Sequence, residues 1–187
     1  MPLWIFGRKK AKQSARQKIE ATRRIFKKEM AWYKTTAGTL IPAAKKRMKE
    51  RVSRKDPPWN ARSFVHSHPD SARFSITDLR MFLQDVVKTK MKTWHIASVN
   101  KKRKVKGYAH IFATKQLFQA PLKQIREFTE KVRFDEAYLS HFIDDRELAQ
   151  ERIDELVQQG WIKIRRTTMP GYTYDPQLGD FIEKKAA

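Results

Sequence analysis

Hydrophobic positions recur with a helical period at the start of the chain. Ile19, Phe26 and Tyr33 stand at heptad spacing, and Ala, Lys, Arg, Gln and Glu fill most neighbouring positions. The pattern predicts a helix over residues 8–34. A second, short helix is predicted over residues 43–52, because the proline immediately before it suits a first helical turn.

The middle of the chain combines strand and helix patterns. Residues 62–68 alternate in the manner of a strand that ends at a proline, and residues 76–92 carry their apolar side chains on one helical face. Two runs rich in aromatic and β-branched residues, 94–99 and 108–114, then predict a hairpin. The tip of this hairpin, residues 100–107, is basic.

The last third predicts three helices and a second hairpin. The helices are expected over residues 121–133, 136–143 and 145–159. Gly160 suits the C-cap of the last one, and the strand-like runs 161–166 and 172–174 flank a Pro-Gly turn. Together these patterns predict an α+β fold.

Charge is unevenly distributed along this chain of 187 residues, whose net charge is +21. Residues 1–60 hold 18 Lys and Arg against 4 Asp and Glu, residues 61–119 hold 12 against 3, and residues 120–187 hold 11 against 13. A basic excess of this kind predicts binding to nucleic acid, DNA or RNA, largely independent of sequence and steeply dependent on salt.

The expected phosphate contacts lie in the first predicted helix, in the basic segment before residue 56 and at the hairpin tip. They are Arg8, Lys9, Lys10, Lys12, Arg16, Arg23, Arg24, Lys27, Lys28, Lys45, Lys46, Arg47, Lys49, Arg51, Arg54, Lys55, Lys101, Lys102, Arg103, Lys104 and Lys106.

Composition excludes several classes of site. The chain has no cysteine, which excludes disulfides, zinc ribbons, iron–sulfur clusters and thiol nucleophiles, so a metal site must use His, Asp or Glu. No apolar run is long enough to cross a membrane. We therefore expect no membrane partner and a cytoplasmic, nucleoid or nuclear location. The basic, acid-poor start also fits a mitochondrial transit peptide.

Two histidines and an aspartate have a spacing that suits one metal ion. His66 and His68 share a face of the predicted strand, because side chains two apart on a strand point the same way. Asp78, at the start of the next predicted helix, can complete a three-ligand site with a fourth position open to water. Open sites of this kind are catalytic, and an acidified water there can attack a carbonyl.

These residues stand in the pattern His-x-His-Pro followed by Ser-x-x-Asp, which resembles the signature of the JAMM/MPN metalloprotease family. The resemblance covers residues 60–115. It implies a zinc ion, an oxyanion stabiliser and an upstream glutamate that polarises water. The matching residues are His66, His68 and Asp78 as ligands, Ser75 as stabiliser, and Glu20 as the candidate glutamate.

Departures from the family pattern leave the function open. Six residues separate the second histidine from Ser75, where the family has seven. Residues 3–7 resemble the end of the family's glutamate strand, but the glutamate itself would fall before Met1. Ser75 and Asp78 also form the pattern of a helix capping box. The histidine pair is alternatively a structural or phosphate-facing element.

The last third resembles the third helix and wing of the winged-helix superfamily over residues 120–176. Leu148, Ile153 and Leu156 are followed by Gly160 and a short basic hairpin. The helix before Gly160 is acidic, which does not suit the DNA major groove. We expect this module to dock a protein partner. Alternatively, it is a tail that caps the core.

The sequence thus predicts three parts. Residues 1–58 form a basic helical arm, residues 59–118 a JAMM-like α/β core with a basic hairpin, and residues 119–187 a winged-helix-like module. One reading is a nucleic-acid-associated protein whose core has lost its catalytic glutamate. The other is an active zinc-dependent peptidase or isopeptidase tethered to a nucleic-acid-rich assembly.

Overall fold

The computed structural model describes residues 31–47, 52–68, 71–100, 102 and 104–184. Most of the first predicted helix lies outside these ranges. Its last part was predicted wrongly, because Ala31–Thr35 is strand β1. The side chains of β1 alternate between the two faces of a sheet. The pairing of β1 with two neighbouring strands outweighs the modest helix preference of its residues.

The second predicted helix is also wrong. Among its described residues, Ala44–Arg47 form strand β3 and Val52 begins strand β4 (Val52–Arg54), which pairs with β3 in antiparallel fashion. Alanine and lysine favour helices by only a fraction of a kcal/mol per residue, so strand pairing overrides that preference.

Six strands form one sheet in the order β2-β1-β5-β6-β7-β8. Their further bounds are Leu40–Pro42 for β2, Ala61–His68 for β5, Thr93–Val99 for β6, Val105–Ala113 for β7 and Ile162–Thr168 for β8. Strands β5 and β6 are parallel, and the other neighbours are antiparallel. The predicted strand over 62–68 and the hairpin after it are confirmed.

Helices pack on one face of this sheet. They are α1 (Ile76–Thr89), α2 (Lys115–Gln119), α3 (Leu122–Tyr138) and α4 (Asp145–Gln158). Helix α1 joins the parallel strands β5 and β6 and buries Leu79, Phe82 and Leu83 completely, as its apolar pattern predicts. The division between the helices predicted over 121–133 and 136–143 is wrong, because neither proline nor glycine interrupts the chain there and α3 runs unbroken to Tyr138. A short 3-10 helix, Leu139–His141, follows it.

The predicted hairpin at the end of the chain is wrong. Strand β8 pairs with β7, whereas β9 (Tyr172–Asp175) pairs with β10 (Asp180–Glu183). The register places Ile164 opposite Ile111, which is fully buried in the core. The described parts of the second and third predicted domains therefore share one sheet and one core, in an α+β fold.

The two faces of the sheet differ. On the helix side, Phe64, Trp94 and Ile111 belong to the main hydrophobic core. On the opposite side, Val65 packs in a smaller cluster with Trp32 and Tyr108, among others. Among the described residues, no helix has the length and apolar character needed to span a membrane.

Candidate metal centre

The end of β5 and the start of α1 bring the predicted ligands together. Ser75 caps the helix, its Oγ accepting a hydrogen bond of 3.1 Å from the backbone N–H of Asp78. The Oδ2 atom of Asp78 accepts one of 2.9 Å from the backbone N–H of Ser75. The predicted capping box is thus confirmed. It fixes the Asp78 carboxylate beside the histidines.

Three potential ligand atoms converge. The Nε2 atoms of His66 and His68 are 2.9 Å apart. The carboxylate of Asp78 approaches His66 Nε2 to 3.1 Å through Oδ1 and His68 Nε2 to 3.4 Å through Oδ2. Ligand atoms that surround a tetrahedral zinc ion at about 2.0–2.1 Å lie about 3.3–3.4 Å from one another. One ligand atom from each residue lies within 4.8 Å of the other two, so the group can hold such an ion once the side chains adjust.

Two aromatic side chains pack against the ring of His66. The ring of Phe64 lies 5.2 Å from that of His66, and the ring of Trp94 meets His66 edge-on at 5.7 Å between centroids. His66 keeps only 6% of its side-chain surface exposed, whereas His68 and Asp78 each keep 12%. All three side chains are therefore nearly buried.

The electrostatics suit metal binding. Burial lowers the pKa of His68 to about 4, against the attraction of Asp78. Its imidazole is thus neutral near pH 7, which leaves a lone pair for a metal ion. Burial alone would raise the pKa of Asp78, but the nearby His66 and His68 and the hydrogen bond from Ser75 bring it well below its usual range. The carboxylate is therefore ionised.

Polar side chains link the start of α1, which carries Asp78, to α3, and the sequence did not indicate these contacts. Thr77 Oγ1 donates a hydrogen bond of 2.6 Å to Glu136, which also pairs with Arg80. These contacts fasten the start of α1 to the end of α3. Burial raises the pKa of Asp145, and Asp78 and Glu136 are among the charges that add to the effect. No local motif signals these residues, because about 60 positions separate Glu136 from its partners.

Apart from Lys106, the other predicted site residues fall into three groups. Outside the described residues lie Glu20, Arg8, Lys9, Lys10, Lys12, Arg16, Arg23, Arg24, Lys27, Lys28, Lys49, Arg51, Lys101 and Arg103. Strands β3 and β4 contain Lys45, Lys46, Arg47 and Arg54. The third group, Lys55, Lys102 and Lys104, has exposed side chains.

Lys106 differs from the other basic residues of the hairpin. Its amine forms an ion pair with Asp180, and its side chain is only 11% exposed. Asp180 already compensates this charge, so Lys106 is less available to a phosphate than the exposed lysines at the tip.

Comparisons with known proteins give no family assignment. No family model, curated protein or solved structure matches this chain. Within the described residues, His66, His68 and Asp78 are the group able to hold a metal ion.

Proposed function

We propose that this protein is a zinc-dependent hydrolase of peptide or isopeptide bonds. The observation that carries the proposal is the convergence of His66, His68 and Asp78, whose potential ligand atoms lie within 4.8 Å of one another. Three protein ligands leave the fourth position open, as in catalytic zinc sites. The similarity of these residues to the JAMM/MPN signature supplies the reaction class.

The chemistry of the ligands favours zinc over calcium or magnesium. Two imidazole nitrogens and one carboxylate suit zinc, whereas the harder ions prefer sites built wholly from oxygen. When bound, zinc supplies an acidified water and a Lewis acid for the substrate carbonyl. His66 and His68 give the site its nitrogen ligands, and Asp78 gives it a negative charge.

Ser75 has a position that suits the oxyanion role. Its Oγ uses a lone pair to accept the hydrogen bond from Asp78 N, which leaves the hydroxyl proton available for donation. Because the capping box holds Ser75 next to a ligand, that proton can be directed at the oxygen that gains charge when a carbonyl is attacked.

Glu29 is our candidate for the base that takes the proton of the attacking water. It lies outside the described residues, so the argument rests on its position in the sequence, two residues before Ala31. Strand β1 begins at Ala31, opposite His66, and runs antiparallel to β5. Glu29 therefore stands two positions along the chain from the residue that pairs with a predicted metal ligand, whereas Glu20 stands eleven positions before Ala31.

Two substitutions test the proposal. We expect freshly purified wild-type protein to contain about one zinc per chain and to cleave members of a panel of fluorogenic peptide and isopeptide amides. Glu29→Gln should keep the zinc and lose at least about a hundredfold in rate, since it removes a general base. Glu20→Gln is the matched control and should keep both. Wild-type protein without zinc, or with zinc and full activity after Glu29→Gln, would contradict the corresponding part of the proposal.

Charge favours nucleic-acid association as a second function. The basic excess lies in residues 1–119, and Lys55, Lys102 and Lys104 are exposed. We propose that the basic arm, residues 1–58, and the hairpin tip place the JAMM-like core on a nucleic-acid-rich assembly. The test is binding to a labelled oligonucleotide, which should fall steeply as salt rises and weaken when residues 1–30 are removed.

The winged-helix-like module is proposed to dock a protein. Its support is the exposed surface of α4, where Glu147, Glu151 and Asp154 face solvent. Arg152 does not offset them, because it is engaged with Asp135 and Glu155. A basic surface on the partner would complement this helix.

A further inference from the structure

A pocket lined by both polar and apolar side chains lies on the face of the sheet opposite the candidate metal centre. Its volume is about 300 Å³, and neighbouring strands β1, β5, β6, β7 and β8 all contribute to it. The lining residues are Lys34, Ser63, Val65, His95, Tyr108, His110 and Thr167. Val65 and Ser63 alternate along β5 with Phe64 and His66, so the pocket and the metal ligands use opposite faces of the same strand.

Two histidines occupy adjacent strands in this pocket. His95 and His110 are cross-strand partners whose Nδ1 atoms are 2.6 Å apart. The Nε2 atom of His110 lies 3.1 Å from Thr167 Oγ1. The rings of Tyr108 and His110 are nearly parallel, with 16° between their planes. The pocket therefore combines hydrogen-bonding groups with flat ring surfaces.

The surroundings of the pocket favour an anion. The pocket face carries Lys34, which lines the pocket, and Arg165, which lies opposite His110 on the neighbouring strand, and the six strands of the main sheet contain no Asp or Glu. The pKa of His95 is lowered to about 3, mainly by burial and further by the nearby His110 and Lys34. Burial and Arg165 lower the pKa of His110 to about 4. Both rings are thus neutral near pH 7, and the positive charges beside them disfavour a metal cation.

We propose that this pocket binds one nucleotide unit of a single-stranded nucleic acid. Lys34 and Arg165 would pair with phosphate, while Tyr108 and His110 would contact a base. Ring stacking together with basic side chains is the usual means of holding single strands without strict sequence selection. A duplex does not offer an unstacked base to a recess of this size. This inference is independent of the zinc chemistry and assigns a contact surface distinct from the arm and the hairpin tip.

The decisive measurement uses wild-type full-length protein. An oligonucleotide that carries a photoreactive 5-iodouracil should crosslink to Tyr108, His110 or Phe112, all within tryptic peptide 107–115. Crosslinks confined to residues 1–58 and 100–106 would overturn the proposal. Thymidine monophosphate should compete far more weakly than the oligonucleotide. If the two compete equally at the same molar concentration, the site takes a free nucleotide and the assignment to a single strand is overturned.

Substitutions give a second, quantitative test. Arg165→Gln should weaken binding of a labelled oligothymidylate about tenfold at moderate salt, measured by fluorescence anisotropy. Arg133→Gln removes the same charge from an exposed position on α3 and should change affinity less than about twofold. Equal effects of the two would refute a specific role for the pocket. Zinc content should be unchanged in both variants, so failure of this inference is distinguishable from failure of the metal site.

Discussion

The Nε2 atoms of His66 and His68 face each other at 2.9 Å. Two ring nitrogens that both carry protons cannot approach so closely, so at least one of them offers a lone pair. Asp78 lies within 3.4 Å of both. In the absence of metal, a shared proton can hold this group together, and a divalent ion can replace it.

Zinc should stabilise the fold. Because the ligands are assembled only in the folded chain, zinc at a hundred times its dissociation constant should add about 2.7 kcal/mol to the free energy of unfolding. Thermal unfolding followed by circular dichroism should show a higher midpoint with zinc, no response to magnesium and reversal by a chelator. His66→Ala protein serves as the control. A zinc-dependent shift that persists in this variant would place the ion elsewhere.

Substitutions of Asp78 and Ser75 should separate the helix-capping role of these residues from their role in metal binding. Asp78→Asn keeps an oxygen that accepts the bond from Ser75 N–H but removes the negative charge beside the histidines, so zinc content should fall sharply and metal-free stability should fall as well. Ser75→Ala should instead retain zinc while costing about 1 kcal/mol of stability. Metal analysis and chemical unfolding in chelator test both. Full zinc occupancy in Asp78→Asn would remove this carboxylate from the ligand set.

Asp180 should be important for stability, because it joins the last hairpin to the sheet. It accepts a hydrogen bond of 2.7 Å from Ser98 Oγ and pairs with the nearly buried Lys106. Asp180→Ala leaves that cation without its partner and should cost about 3–5 kcal/mol. Adding Lys106→Met removes the stranded charge and should restore part of the loss in urea unfolding. Additive destabilisation by the two changes would show that the pair is not coupled.

Stability should fall in mild acid. The pKa of His95 is lowered to about 3 in the folded protein and that of His110 to about 4, against about 6.5 in the unfolded chain. The unfolded chain therefore takes up more protons below about pH 6.5, and the contribution of this pair decreases from there toward pH 4. His95→Phe should lose less stability than wild type between pH 7 and pH 4.

The control for this pH series is His141, which is exposed in the short 3-10 helix Leu139–His141 that follows α3. His141→Gln should follow the wild-type curve of unfolding free energy against pH. If His95→Phe follows that same curve, burial of the histidine pair does not contribute to the pH dependence.

The local parts of the fold were predictable from sequence. The alternation in β5 and the apolar face of α1 are short-range signals, and a capping box four residues long set the start of the helix. The same short-range logic brought His66, His68 and Asp78 together, because a strand and the next helix position all three.

The remaining features depend on pairing between distant segments. Strand β8 pairs with β7, about 50 residues away in the sequence. The Pro-Gly turn that follows β8 led us to predict pairing with the next strand instead. Residues 44–47 have the composition of a helix and were misassigned because a strand pairing decided their conformation. Glu136 and Asp145 come near the candidate site only because α3 and α4 pack against α1. Packing between distant helices cannot be predicted from the spacing of neighbouring residues.

Strand β5 constrains how this protein can change over evolution. Val65 lines one pocket and His66, the next residue, belongs to the metal group on the other side. An insertion or deletion of one residue in this strand would exchange the two sets of side chains. Insertions and deletions are therefore tolerable in the loops around β5. Within β5, a change in length would disturb the pocket face and the metal-site face at the same time.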